Sequence, residues 1–463
     1  LALSGVLLET SATARTLLHR RSSHVQTWAY VLESALDLDG DRAANVLGGR
    51  DCDPSRSDVS PLATELAGDG LDANCAGGPG RTRPRPRVAS PGQGAAAGSD
   101  VILLSVDSLR HDVVDALSAT RRALGPHATF DLAVSPSPMT RFSLSANLRG
   151  RAVRQIRFED EPTDTLATLR HDRSPTIGHV LGDNGYRCVH VATTDHLDPP
   201  TRVAAGFHAL DVTGFGAPPW RAGWPRRGKW FYRAPDAFSL LLRAARSTRG
   251  PLCAWTHLMD SHYPYYRGEV PASFDLAGLR ASVRDLDGRI AAFLRAFAAI
   301  RRRPVVVAMF GDHGEAFDEH GTTHHASATY AEQVRVGALL AGPGVRPGRY
   351  APPVTTTQLA PSVLELVGVR PPAPMTEPSL LAAMHGRGAW PEVAVSELHH
   401  AARHRVEVGY MTERWHLVRD AVHDVDELFD VRRDPREAHD VSRSEPAAAA
   451  AMRRLAARWD ETH

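Results

Sequence analysis

Lysine is almost absent from this chain: one residue, Lys229, stands among 54 basic residues, so the basic side is arginine almost throughout. Those residues are matched by 53 acidic ones, and a net charge of +1 leaves no bulk field of either sign. That balance excludes a chain built to coat nucleic acid. Four cysteines in 463 residues exclude a disulfide-dense small scaffold. No repeat of fixed period appears, which sets aside solenoids and propellers. Leu1–Leu8 is too short to span a bilayer and lacks the basic n-region and cleavage site of a signal peptide. With leucine at position 1, we expect the soluble part of a longer chain, with a membrane tether or signal upstream. What is present, 463 residues at 43% hydrophobic, can bury a full core and extend over more than one domain.

Three short segments carry the chemistry: Val101–Asp112 (VILLSVDSLRHD), Thr140–Gly150 (TRFSLSANLRG) and Val305–His325 (VVVAMFGDHGEAFDEHGTTHH). The first and third begin as continuous apolar runs of strand length, the pattern of a fully buried parallel strand. Each run stops at an acidic residue, Asp107 in the first and Asp312, followed by His313, in the third. Open α/β sheets bind ligands at the carboxyl ends of their strands. Carboxylates and an imidazole delivered there predict a divalent-cation site. A strand-end Asp alone would more often be a cap or turn residue. In the middle segment, Thr140 precedes a stretch without Gly or Pro that stops at Gly150, so it reads as the N-cap of a helix. The same geometry would place its hydroxyl where backbone N–H groups welcome an oxyanion, ready to attack sulfur or phosphorus.

These segments resemble the sulfatase branch of the alkaline phosphatase superfamily. There, an apolar strand ends in an acidic metal ligand, as Val101–Asp107 does, and the nucleophile precedes a Gly by ten positions, as Thr140 precedes Gly150. Ser143 fits the same pattern, with Phe142 where Pro is usual. Gly311-Asp312-His313-Gly314-Glu315, His320-Gly321 and His325 resemble the second metal segment and the histidines after it. His257-Leu-Met-Asp260-Ser-His262-Tyr-Pro264-Tyr265 resembles the substrate-side segment, whose second histidine touches the transferred group or leaving oxygen. Similarity extends through Gly185-Tyr186-Arg187, Leu359-Ala-Pro361 and Glu427-Leu-Phe-Asp430 to roughly residue 460.

The resemblance implies metal ligands Asp107, Thr140, Asp312 and His313, with Ser108 where a second Asp is usual. It implies Thr140 as nucleophile, His262 or His325 as proton donor to the leaving group, and Arg141 as a partner for anionic oxygens. A second metal on Asp260 and His320, with His262 and His325, is the alternative drawn from two-metal phosphodiesterases. Sulfatases proper use a Cys or Ser matured to formylglycine, and a shifted register would put Ser137 at that position, with Arg141 four residues on. An unmodified threonine resembles instead the nucleotide phosphodiesterases, phosphoethanolamine transferases and lipoteichoic acid synthases. The Gly-Lys-Trp-His segment of the family is missing: Val191–His196 reads VATTDH, and Gly228-Lys229-Trp230 comes too late.

A second region, residues 37–75, spaces Asp37, Asp39 and Asp41 two apart around a glycine, then Asp51, Asp53, Asp69 and Asp72 with a cysteine in each half. It resembles the short Asp/Gly/Cys metal-binding motif of extracytoplasmic bacterial proteins. That resemblance implies calcium and a disulfide between Cys52 and Cys75. An acidic linker is the bland alternative. Cys188 and Cys253 sit in apolar strand patterns and read as buried free thiols.

We therefore expect an α/β fold: an alkaline-phosphatase-like sandwich with a mostly parallel central sheet, helices on both faces and a small α+β C-terminal subdomain. Residues 1–36 read as an N-terminal segment, 37–75 as the calcium-type module, 76–98 as a Gly/Pro/Arg linker, 99–385 as the catalytic domain and 386–463 as the subdomain. Helices are expected at 237–247, 279–299, 357–366 and 447–460, and strands at 188–193, 252–258 and 337–341. The expected activity is metal-dependent hydrolysis of a small-molecule, glycan or lipid ester of sulfate or phosphate, using manganese, calcium or magnesium, on the periplasmic side of a bacterial membrane. Phosphotransfer to an envelope lipid or glycan is the alternative, and a non-catalytic calcium-binding adhesion or assembly role the minor one.

Overall fold

The computed structural model describes residues 94–158, 169, 172–197, 201–210, 233–267, 270–400, 405–420, 423 and 425–463, and upstream only 35–39, 51–57, 59, 70–72 and 75. Residues 1–34 of the N-terminal segment, most of the linker, Asp41, Asp69 and Lys229 lie outside the described residues.

In chain order the central sheet comprises β1 (Asp100–Val106), β2 (His127–Val134), β3 (Arg187–Val191), β4 (His208–Ala209), β5 (Leu252–Leu258), β6 (Val305–Gly311), β7 (Arg335–Val336), β8 (Ala338–Ala341) and β9 (Gly348–Thr355). Across the sheet the order is β7–β2–β8–β6–β1–β5–β3–β4, with β9 also paired to β2. The strands β6, β1, β5, β3 and β4 run parallel, as do β9 and β2, while β7 and β8 pair antiparallel with β2. Strands β2 and β9 escaped the sequence reading. In β9, Pro352 and Pro353 lie at a register shift in the ladder, which is where a strand tolerates a residue without an N–H.

The apolar runs are continuous because both faces of the sheet are covered. On β1, Val101 and Leu103 join a core with helices Thr140–Arg149, Ile177–Asp183 and Leu359–Leu366. Ile102, Leu104 and Val106 point to the other face, against helices Ala234–Ser247 and Leu276–Arg301. The longer of these buries Leu279, Val283, Leu286 and Ile290, a helical spacing of three to four residues. Asp275 caps it by accepting from the N–H of Gly278 at 2.7 Å. Truncating the fully buried Leu286 to Ala would cost about 2–5 kcal/mol through lost burial and the cavity left behind.

The C-terminal residues form a four-stranded antiparallel sheet, Ala394–His400, Arg405–Met411, Trp415–Asp420 and Val425–Asp430. Helix Pro446–Asp460 lays Ala449, Met452 and Ala456 on it. Its last turn is tied to the main body by Arg154, which bridges Glu397 and Asp460 at 2.6 Å each. Cys188 and Cys253 are buried free thiols, directly opposite each other on β3 and β5. Among the described residues no helix is long and apolar enough to cross a membrane.

Candidate active site

Three parallel strands deliver the site. Val106 on β1 and Gly311 on β6 are register partners, so the next residues, Asp107 and Asp312, leave the sheet side by side. On β5, His257 is paired with Ser105. It shares the parity of Cys253 and Trp255, which face helix Thr140–Arg149, and so its ring enters the same space. All three site residues are fully buried.

Each carboxylate spends one oxygen locally. Asp107 Oδ1 accepts from Ser108 Oγ at 2.8 Å, and Asp312 Oδ1 accepts from the N–H of His313 at 2.9 Å. Their Oδ2 atoms, with His257 Nε2, have no hydrogen-bond partner among the described residues. The Nε2 atom lies 3.4 Å from Asp107 Oδ2 and 3.6 Å from Asp312 Oδ2. Leaving three such atoms dry and unpaired would cost several kcal/mol. These are the side chains whose ligand atoms converge closely enough to hold one metal ion among the described residues.

The electrostatics agree. Burial and the charge of Asp107 push Asp312 up to about 7. Burial works in the same direction on Asp107, but His262, His257 and His313 outweigh it and hold Asp107 well below the usual range. A divalent cation among the three ligand atoms would relieve this like-charge conflict, so the residues fit a metal.

Helix Thr140–Arg149 is pinned to the same point: Ser143 Oγ donates to the carbonyl of Asp312 at 2.6 Å, and Ser135 Oγ bonds the same carbonyl. Thr140 is the first helical residue and Met139 the N-cap, so the threonine hydroxyl is not used for capping. It lies 2.9 Å from His313 Nε2 instead. Since His313 Nδ1 meets the carbonyl of Gly314 at 2.8 Å, that nitrogen carries the proton, and Nε2 accepts from Thr140. Burial lowers the pKa of His313, favouring this neutral form. Ser137 is buried too, but no hydrogen bond of its Oγ joins it to these residues.

His325 and His262 flank the site, their rings 6.1 Å apart, with His325 stacked 4.0 Å from His313. Glu315 Oε1 accepts from His325 Nδ1 at 3.0 Å, and Tyr265 donates its hydroxyl to Glu315 Oε2 at 2.9 Å. Arg141 donates from Nε to His196 Nδ1 at 2.9 Å. Thus the VATTDH stretch ends in a histidine that reaches the helix beginning at Thr140.

The second-metal set does not assemble. Asp260 receives Arg233 Nε and the N–H of Ala234, each at 2.8 Å, and so caps the helix starting there. His320 has both ring nitrogens engaged, by Glu332 at 3.0 Å and the carbonyl of Glu437 at 2.8 Å. A carboxylate serving a helix and an imidazole tied at both ends have no ligand atom to give. The converging ligand atoms belong to Asp107, to Asp312 and to His257, the last of which the sequence reading quoted but did not assign. The other two expected ligands, His313 and Thr140, stand beside this group, with His313 Nε2 3.3 Å from Asp312 Oδ2 and 2.9 Å from Thr140 Oγ1. The signal for His257 was available: an imidazole inside a strand otherwise apolar on that face.

In the upstream module, Cys52 and Cys75 are joined by a disulfide. Asp51 is buried, and its pKa is raised by burial, against the N–H of Asp53, with the charges of Asp39, Asp53 and Asp37 adding to the rise. Asp72 is described as well, but the five aspartates form no converging ligand group.

The Sulfatase family model matches residues 99–369, so the chain belongs to the sulfatase family. It is a hydrolase of sulfuric or phosphoric esters with an alkaline-phosphatase-type fold. Among solved structures it is similar to a 2-O GAG sulfatase, at 17% identity and TM-score 0.62 over 78% of this chain and 92% of that one. The phosphonate monoester hydrolase of Agrobacterium radiobacter is similar at 14% identity and TM-score 0.60, over 78% and 96%. A third relative was solved with its substrate D-glucosamine-2-N,6-O-disulfate; it is 14% identical at TM-score 0.61, over 78% and 97%. No curated protein sequence matches the chain.

Proposed function

We propose that the protein cleaves a phosphate or sulfate ester, with a preference for phosphorus, through a covalent intermediate on unmodified Thr140. The observation that carries this reading is the 2.9 Å hydrogen bond from Thr140 to His313, next to the three unpaired ligand atoms. A cation held by Asp107, His257 and Asp312 would supply Lewis-acid stabilisation of charge on the substrate oxygens. The donor set, two carboxylates and an imidazole, suits manganese better than calcium, which prefers oxygen alone.

Thr140 Oγ1 gives its proton to His313 Nε2 and attacks the phosphorus or sulfur, whose bond to the ester oxygen breaks. His262 or His325 delivers a proton to that leaving oxygen; both hold Nδ1 in a hydrogen bond, to Tyr263 O and Glu315 respectively, which fixes each ring. Arg141 and His196 lie at the helix start, where an anion is favoured. Water then releases the group from Thr140; an acceptor alcohol in its place would make the protein a transferase. The Cys52–Cys75 disulfide supports an extracytoplasmic location, since reducing compartments disfavour one.

The deciding experiment compares an aryl sulfate, a phosphate monoester, a phosphate diester and a phosphonate ester with manganese, magnesium, calcium or EDTA. Thr140→Ala should lose about 10⁴ or more in rate. Mass spectrometry of the quenched enzyme should place the phosphoryl group on Thr140. Retained activity in Thr140→Ala, with the label on Ser137, would overturn the assignment. Product on an added alcohol in place of free phosphate would identify transfer.

A further inference from the structure

Arg149 ends the helix that begins at Thr140 and is almost wholly buried, with 1% of its surface exposed. Charged side chains are seldom buried so far without full pairing. Its Nη1 donates to the carbonyls of Ser145 and Val203 at 3.5 Å, and its Nη2 to that of Arg202 at 3.1 Å. The Nε atom has no hydrogen-bond partner among the described residues, and the carboxylate it faces, Asp172 Oδ1, stays 3.6 Å away.

Two more guanidinium groups stand near it. Arg151 follows across Gly150, and Arg202 belongs to the segment whose carbonyls Arg149 holds. Both are half-buried, and each keeps a buried Nε without a hydrogen-bond partner among the described residues. Burial lowers Arg149 to about 10; Asp172 opposes the fall, and the charges of Arg151 and Arg202 add to it. Asp172 is a weak counterweight because its oxygens are already engaged. Oδ1 accepts from the N–H of Ser174 at 2.9 Å and from its hydroxyl, and Oδ2 accepts from the N–H of Arg157 at 3.0 Å. A helix C-terminus accounts for one arginine on its last carbonyls, not for two further charges packed near the first.

We propose that Arg149, Arg151 and Arg202 form a binding site for a tetrahedral dianion, phosphate or sulfate, separate from the active site. Three guanidinium charges against one carboxylate leave an excess that such an ion would neutralise. The guanidinium fork presents parallel N–H donors that match two oxygens of a phosphate or sulfate, a fit that chloride does not offer. Arg149 would form the floor of the site, and the half-buried Arg151 and Arg202 its solvent side. The helix of 10 residues puts Thr140 about 15 Å away, so the ion would not touch the reacting centre. Bound there, it would fasten the far end of that helix to the segment around Arg202. The site stands on the arginines and not on the ester-cleaving reading.

Calorimetric titration of the whole chain with phosphate and with sulfate, before and after chelation, tests this. One ion per chain should still bind after chelation, because the site needs no metal and the bare carboxylates of Asp107 and Asp312 repel an anion. Removing one charged donor should weaken that binding by about tenfold or more in Arg151→Gln and in Arg202→Gln. Arg202→Lys, which keeps the charge but not the fork, should weaken it less. Arg141→Gln, in the active site, should leave it unchanged. As a second readout, either ion should raise the melting temperature of the chelated wild type, and not that of the variant carrying both Arg151→Gln and Arg202→Gln. No wild-type binding at about 10 mM overturns the site. Binding that disappears on chelation or in Arg141→Gln, yet persists in Arg151→Gln and Arg202→Gln, belongs to the active site and overturns it equally. Chloride binding as tightly as phosphate and sulfate overturns the choice of ion.

Discussion

Asp107 and Asp312 bring their Oδ2 atoms to one imidazole nitrogen, at 3.4 and 3.6 Å from His257 Nε2, with His313 Nε2 at 3.9 and 3.3 Å from the same two oxygens and neither oxygen hydrogen-bonded among the described residues. Two buried carboxylates placed this way oppose folding unless a cation or a proton intervenes. Neutralising one should therefore stabilise the metal-free protein while destroying the site. We expect Asp312→Asn, after chelation, to melt above chelated wild type. The wild type alone should gain stability on adding manganese, by about 2.7 kcal/mol at a hundredfold excess over Kd. Calorimetry with and without EDTA decides this. A chelated Asp312→Asn that melts below chelated wild type would contradict the repulsion argument.

His257 owes its orientation to Ser105, whose Oγ lies 3.1 Å from His257 Nδ1 and 3.1 Å from Trp255 Nε1. Outer partners of metal-binding histidines typically contribute 10- to 100-fold in affinity. Ser105→Ala should thus weaken manganese binding by about tenfold, and His257→Ala by considerably more. Equilibrium dialysis would measure both. Unchanged affinity in His257→Ala would remove it from the ligand set.

His320 supplies the contrasting case. Its nitrogens join Glu332 to the Glu437 carbonyl in the C-terminal part, and its pKa is raised to about 9: burial opposes the rise, but Glu332 and Glu437 outweigh it. A raised histidine contributes stability that is complete below its ordinary value of 6.5 and is lost as pH rises through about 9. His320→Ala should leave the metal content measured by mass spectrometry intact, yet flatten the fall in melting temperature between pH 6.5 and 9. A loss of one bound metal in this variant would revive the two-metal reading.

Acid should release the C-terminal helix first. Burial alone would raise Glu397, but the charge of Arg154 and the hydrogen bond from His399 hold it at about 2, below its ordinary 4.5. This contribution is full above pH 4.5 and is withdrawn as pH falls towards 2, amounting to roughly 3 kcal/mol. Tryptophan fluorescence should report the change, because Arg154 also lies 4.7 Å above the Trp459 ring. Glu397→Gln should be less stable at neutral pH and lose less on acidification; an unchanged acid transition would refute the assignment.

Much of this was legible in the chain. Apolar runs ending in Asp107 and Asp312 identified buried parallel strands and their site-bearing ends, because strands covered on both faces need apolar residues at every position. Thr140 and its helix were legible through Gly150, which ends the helix at a positive φ of 56°. Less visible were β2, whose burial alternates along its first half, and the proline-bearing β9, since both carry a weaker signal than a continuous apolar run.

The sequence by itself determined the strand ends, the candidate ligand types, the helix that begins at Thr140 and the family. Tertiary structure alone decided which of 23 histidines serve which role. Strand register put His257 opposite Ser105 and turned it towards Asp107 and Asp312, while Glu332 and the Glu437 carbonyl took His320 away. The reason is physical: an imidazole becomes a ligand, a base or a strut according to what its two nitrogens meet, and those partners lie 12 to more than 150 residues away in the chain.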